Sequence, residues 1–144
     1  GNNQQSQAFF AMLFSEEMDD VFQYVIEPCV RSCGYLPMRI DKKEHNNKID
    51  DEIVAEIRRS KFLIADFTSE PEKPRGGVYY EAGFAQGLGL PVIWTCRADL
   101  IDQVHFDTRQ FNHIVWKDTV DFSKQLQDRI LATIGQGPLA VETS

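Results

Sequence analysis

The distribution of apolar and polar positions divides the chain into alternating blocks. "AFFAMLF" (8–14) is a near-continuous apolar run, the pattern of a strand buried on both faces of a parallel sheet. A helical pattern follows from Ser15, a suitable N-cap, to Cys33, with Gly34 as its stop. Pro28 falls inside that pattern and should kink it, because proline has no N–H to donate to Tyr24. "YLPMRI" (35–40) reads as a second strand, and Pro37 suggests an irregular or edge position. Asn47 then caps a helix over 49–60, whose Ile49, Ile53, Val54 and Ile57 make one apolar stripe. "KFLIADF" (61–67) is a third strand, a short helix spans about 78–88, and "PVIWTC" (91–96) is a fourth strand. After a long connection (97–111), "HIVW" (113–116) is a fifth. A last helix over about 120–134 buries Phe122, Leu126, Ile130 and Ile134 and stops at Gly135.

Strands alternating with helices predict an α/β fold: one flavodoxin- or Rossmann-like three-layer domain with a five-stranded parallel sheet. Right-handed crossovers favour the order 2-1-3-4-5. The domain should occupy 8–135, between a polar, disordered N-terminal segment (1–7) and a flexible C-terminal tail (136–144). Ligands of such sheets lie outside the carboxyl ends of the strands, which directs attention to Ser15, Asp41, Asp66 with Thr68, and Cys96 with Arg97.

Composition narrows the choice of ligand. The 144 residues carry a net charge of −7 with no basic block, so general nucleic-acid binding is not expected. No signal peptide, long apolar run or lipidation motif is seen, so neither is membrane association. Three cysteines, Cys29, Cys33 and Cys96, have no framework spacing and read as buried thiols of a reducing, cytoplasmic compartment. Cys29 and Cys33 share a helix face, but without nearby histidine or a second cysteine pair no metal site is expected. No cofactor is expected either. The first βα turn reads "SEEMDD", with four carboxylates where a dinucleotide turn needs glycines, and no phosphate-cradling GxxxxGK[ST] occurs.

The stretch "RGGVYYEAGFAQGLGLPV" (75–92) carries one carboxylate, Glu81, among small and aromatic residues. At about 100° per residue, Ala82, Ala85 and Gly89 cluster with Val78, and Glu81 falls on the shoulder of that stripe. A carboxylate partly desolvated against a crevice wall, near a helix N-terminus, suits a nucleophile. It equally suits a boundary glutamate that pairs with Arg75 or caps a backbone amide. Asp66 emerges at the end of the third strand, where it could work with Glu81 in acid–base chemistry or cap the following loop through the Thr68 or Ser69 amides.

These residues carry a resemblance. "FFAMLF", "IADFT" and "GGVYYEAGFAQGLGLPVI" resemble the nucleoside 2-deoxyribosyltransferase-like superfamily over roughly residues 8–96. The resemblance implies cleavage or transfer of an N-glycosidic bond in a small-molecule nucleoside or nucleotide. Glu81 would attack the anomeric carbon, and Asp66 would assist proton transfer or orient the sugar. The transferases carry an aspartate six residues before the nucleophile, where this chain has Arg75; the 2′-deoxynucleoside 5′-monophosphate N-glycosidase branch matches better. Arg75, beside Gly76 and Gly77 at a helix N-terminus, could hold a phosphate or remain a solvated loop arginine. Phe10, Met12 and Tyr79 are candidates to stack a base, or simply core residues. Asp41 and the polar connection containing Arg109 could reach the crevice mouth. The resemblance also implies a homodimer that completes the site. Two other readings stay open: a TIR-like NAD-cleaving enzyme and a non-catalytic nucleotide-sensing module.

Overall fold

The computed structural model describes residues 5–12, 15–40, 51–68, 76–99 and 113–140. Five parallel strands form one sheet in the order β2-β1-β3-β4-β5, as the crossover rule requires. The strands are β1 (Gln7–Ala11), β2 (Leu36–Met38), β3 (Phe62–Asp66), β4 (Val92–Arg97) and β5 (Ile114–Trp116). The helices are α1 (Glu16–Val21), α2 (Glu27–Ser32), α3 (Asp51–Arg58), α4 (Gly76–Gly87) and α5 (Thr119–Thr133). The chain is thus an α/β protein of the flavodoxin-like type.

Two apolar layers sandwich the sheet. Alternate residues of β1 and β3 (Ala8, Phe10, Phe62, Ile64), with Ile93 and Trp116, pack under α1, α2 and α5. The opposite set (Phe9, Ala11, Leu63, Ala65, Trp94, Cys96) packs under α3 and α4. Every residue of β3 is buried, which is why its sequence lacks the alternation of a one-sided strand. On α3, Ile53 and Ile57 supply the buried contacts, while Ile49 and the Asn47 cap lie outside the described residues.

The first helix departs from expectation in an informative way. A π-helical turn at Phe22–Ile26 joins α1 to α2 just ahead of Pro28, which lies in the first turn of α2. There the N–H of Glu27 reaches back to the Phe22 carbonyl, an i→i−5 bond. The wider turn lies next to the ring that disfavours regular i→i−4 pairing. Ser15 caps α1 as expected, accepting from Met18 N at 3.0 Å. Pro37 lies in β2, the edge strand.

Both domain boundaries shift. Gln7, assigned to the disordered start, opens β1, and its side-chain amide donates to Ser60 Oγ at 3.0 Å. The stretch 136–140, assigned to the flexible tail, docks on the turn after α2: Gly137 N donates to Cys33 O at 2.8 Å and Leu139 N to Gly34 O at 3.0 Å. Gly34 has φ +97°, and a Cβ there would meet Gly137 O at 2.6 Å, so two glycines allow this contact. Cys29 and Cys33 share a buried face as free thiols.

Candidate functional site

Asp66 is the last residue of β3 and has no exposed surface. Strand alternation places its side chain on the Phe62 and Ile64 side, beneath α1 and α5. Three donors converge on its carboxylate. Thr95 Oγ1 donates at 2.5 Å and Trp116 Nε1 at 3.1 Å, both to Oδ2, while Thr68 N donates to Oδ1 at 2.9 Å. The register explains the set, because Asp66 pairs with Thr95 across β3–β4 and Arg97 with Trp116 across β4–β5. The Trp116 ring is itself stacked on Phe122 of α5 at 4.8 Å. Burial raises the Asp66 pKa above the ordinary carboxylate value, against the lowering effect of hydrogen bonds from Thr95, Thr68 and Trp116. One layer further out, Thr68 Oγ1 accepts from Arg97 N at 2.9 Å. Asp66 therefore ties together the carboxyl ends of β3, β4 and β5. The Thr68 N bond is the loop cap expected of an aspartate at this strand end.

Glu81 lies in the other layer. Val78, Ala82 and Ala85 of α4 are buried against the sheet, whereas Tyr80, Gly83 and Gly87 face outward. Glu81 is only 5% exposed, as its place on the shoulder of the stripe predicts. The small side chains of Ala82 and Ala85 let α4 lie close to β3, and Gly76 and Gly77 form its opening turn. That turn follows β3, so Glu81 stands in the second turn down from the carboxyl edge. The two carboxylates are both buried; Asp66 leaves β3 on the side of Phe62 and Ile64, and Glu81 is carried by α4, whose Val78, Ala82 and Ala85 pack with the opposite layer.

The proposed base-stacking set divides along the same line. Phe10 belongs to the α1/α5 layer, edge-on to Phe22 at 5.6 Å, and Met12 lies there too, its sulfur accepting from Arg39 Nη1 at 3.8 Å. Tyr79 belongs to the α4 layer, 4.6 Å from the Phe67 ring. Phe67 also stacks on Trp94 at 5.4 Å, and both rings meet His113 edge-on or tilted at about 6 Å. Sequence reading missed Phe67, Trp94 and His113 as neighbours of Tyr79. The signal available was parity alone, since Phe67 follows Asp66 and must point to the opposite face.

At the carboxyl edge, Arg97 ends β4 and forms ion pairs with Glu17 of α1 and with Asp99, the latter at 2.6 Å. Its pKa is raised, chiefly by the Asp99 hydrogen bond, and that of Asp99 is lowered by the same contact. Arg39 pairs with Asp19 at 2.9 Å. The acidic turn "SEEMDD" is thus a capped helix start whose carboxylates engage two strand-end arginines. Gly77 lies in the first turn of α4, while Asp41, Arg75 and Arg109 lie outside the described residues. Among the described residues no group of three or more His, Cys, Asp or Glu side chains is placed to hold a metal, and no helix is long and apolar enough to cross a membrane.

No family model matches the chain, and no curated protein does. Among solved structures, the chain is similar to the metal-soaked Flv1 flavodiiron core from Synechocystis sp., at 15% identity and a TM-score of 0.46. That likeness covers 88% of this chain but 37% of the flavodiiron chain, so this chain spans little more than a third of its length.

Proposed function

We propose that this protein cleaves or transfers an N-glycosidic bond of a nucleoside or nucleotide, with Glu81 as the carboxylate that attacks or stabilises the anomeric carbon. The observation that carries the reading is the burial of Glu81, 5% exposed, on the sheet-facing flank of a helix opened by two glycines at the carboxyl edge of a parallel sheet. N-glycoside cleavage passes through an oxocarbenium-like state, which a facing carboxylate stabilises or captures. A carboxylate held in a largely water-excluded wall is worth more to that charge than one in bulk water. The resemblance to the monophosphate N-glycosidase branch adds Arg75 and the Gly76–Gly77 turn as a phosphate cradle. Asp66, with its carboxylate engaged by three donors, serves here as a bracket for the strand ends.

The test is chromatographic detection of free base from deoxynucleotides, nucleosides and NAD. Glu81→Gln should lower turnover by at least about a hundredfold, the scale of losing a positioned catalytic group. Full activity in that variant removes Glu81 from the chemistry. A second reading, a nucleotide-binding module without turnover, draws support from the engagement of Asp66 away from Glu81. Calorimetric binding of a nucleotide that stays intact through prolonged incubation would favour it.

A further inference from the structure

The sheet divides the three buried thiols unequally. Cys96 lies in the layer under α3 and α4, whereas Cys29 and Cys33 lie together under α1, α2 and α5. They stand four residues apart on the last turn of α2, so they share one face, with their sulfurs in hydrogen-bonding reach of each other. Cys29 Sγ also faces α5, where Ser123 O lies at 3.6 Å. The contact with Cys29 draws the Cys33 pKa down, while the same contact and burial push that of Cys29 up. The pair thus sets a nucleophilic sulfur beside a protonated one. A surface groove of about 460 Å³ between the π turn, α2 and α5 is lined by Pro28 and Ser123, the chain neighbour and the hydrogen-bond partner of Cys29. It gives a small oxidant its approach to the sulfurs.

The backbone of Cys33 has a second task. Its carbonyl accepts from Gly137 N at 2.8 Å, and the Gly34 carbonyl accepts from Leu139 N at 3.0 Å, so the end of α2 holds the strap 136–140. At the root of the strap Tyr35 Oη donates to Gly135 O at 2.7 Å, and Gly135 itself has φ +96°. A disulfide needs Cβ atoms about 3.8 Å apart. Side chains at i and i+4 of a helix start about 5–6 Å apart. Joining Cys29 to Cys33 therefore distorts the final turn, where Cys33 N bonds to Cys29 O at 3.1 Å and Val30 O at 3.2 Å. The carbonyls that hold the strap move with that turn. We propose that Cys29 and Cys33 form a redox-sensitive modification site, which peroxide oxidises to a disulfide that loosens the 136–140 strap.

The oxidation balances with hydrogen peroxide as the two-electron oxidant. Cys33 sulfur attacks one peroxide oxygen, the O–O bond breaks, and the other oxygen leaves as water with the thiol proton, giving a sulfenic acid. Cys29 sulfur then attacks Cys33 sulfur, the S–O bond breaks, and the oxygen leaves as a second water carrying the Cys29 proton. Two thiols and one peroxide become one disulfide and two waters. A disulfide made against the geometry of its helix is readily reduced, which suits a reversible mark rather than a permanent staple. The pair lies in the layer opposite the one that α4 joins, so the proposal stands apart from the reading of Glu81.

In the experiment the full chain is treated with hydrogen peroxide, alkylated under denaturing conditions and cut with trypsin, which cleaves after Arg31 and so separates Cys29 from Cys33. The expected product is a disulfide joining peptides 1–31 and 32–39, with Cys96 still alkylated. In the oxidised protein the Gly137 and Leu139 amides should exchange hydrogen at least about fivefold faster, the factor that one lost hydrogen bond makes. Dithiothreitol should restore both the thiols and the slow exchange, a control that needs no variant. Cys29→Ala should abolish the cross-link and keep exchange at its untreated rate under peroxide. Thiols that stay free after peroxide, or that pass to sulfinic acid without a cross-link, overturn the proposal. So does a disulfide that leaves exchange at Gly137 and Leu139 unchanged.

Discussion

Replacing Thr95 with valine removes one hydroxyl while keeping the shape of the side chain, and so isolates the shortest bond to Asp66, 2.5 Å. A hydrogen bond to a charged group is worth about 1.5–3 kcal/mol. Thr95→Val should cost that much wherever Asp66 is ionised in the folded protein. The same loss raises the folded Asp66 pKa further, because the Thr95 bond is one of the contacts that lower it. The sign follows from burial, which already holds that pKa above its unfolded value. A group raised in this way contributes stability fully present below its unfolded pKa and lost as pH climbs through its folded pKa. In the variant the loss continues to higher pH, so the two stability curves diverge as pH rises. At low pH the difference shrinks to that of a neutral hydrogen bond, about 0.5–1.5 kcal/mol. Urea unfolding of both proteins at steps from about pH 8 to about pH 4 spans the range in which buried carboxyls with raised pKa titrate. A difference that stays constant with pH, or one below about 0.5 kcal/mol throughout, would refute the reading that the Thr95 bond acts on the ionisation of Asp66.

Three other outcomes follow from single contacts. Gly34→Ala places a methyl group 2.6 Å from Gly137 O at φ +97°, and should cost at least about 1–3 kcal/mol. It should also release 136–140, read as faster hydrogen exchange at the Gly137 and Leu139 amides; unchanged exchange would contradict the docking. Asp118 caps α5 by accepting from Asp121 N at 2.8 Å, so Asp118→Ala should lower stability by about 1 kcal/mol in chemical unfolding, and Asp118→Asn should restore most of it. Trp116→Phe keeps the stacking on Phe122 but removes the Nε1 donor, and should reproduce the pH-dependent loss of Thr95→Val. A pH-independent loss there would assign the effect to packing.

The sequence by itself determined the elements, their order and the side of α4 on which Glu81 falls. Unbroken apolar runs mark strands buried on both faces, the crossover rule orders them, and a 100° period turns residue spacing into helix faces. Each of these is a local or topological regularity, carried by neighbours in the chain. The fate of Asp66 is of another kind. Two of its three donors come from residues 29 and 50 positions away, brought to it by the register of β4 and β5. No spacing within "FLIADFT" distinguishes a carboxylate that faces a ligand from one locked beneath Trp116. The separation of Phe10 and Met12 from Tyr79 likewise depends on which face of the sheet each helix covers, and the docking of 136–140 depends on the space between Gly34 and Gly137. Pro28 signalled a disturbed helix, but the π turn that absorbs it was settled in the folded helix. Periodicity fixes the direction in which a side chain leaves its own element; what it meets depends on elements that only folding places beside it.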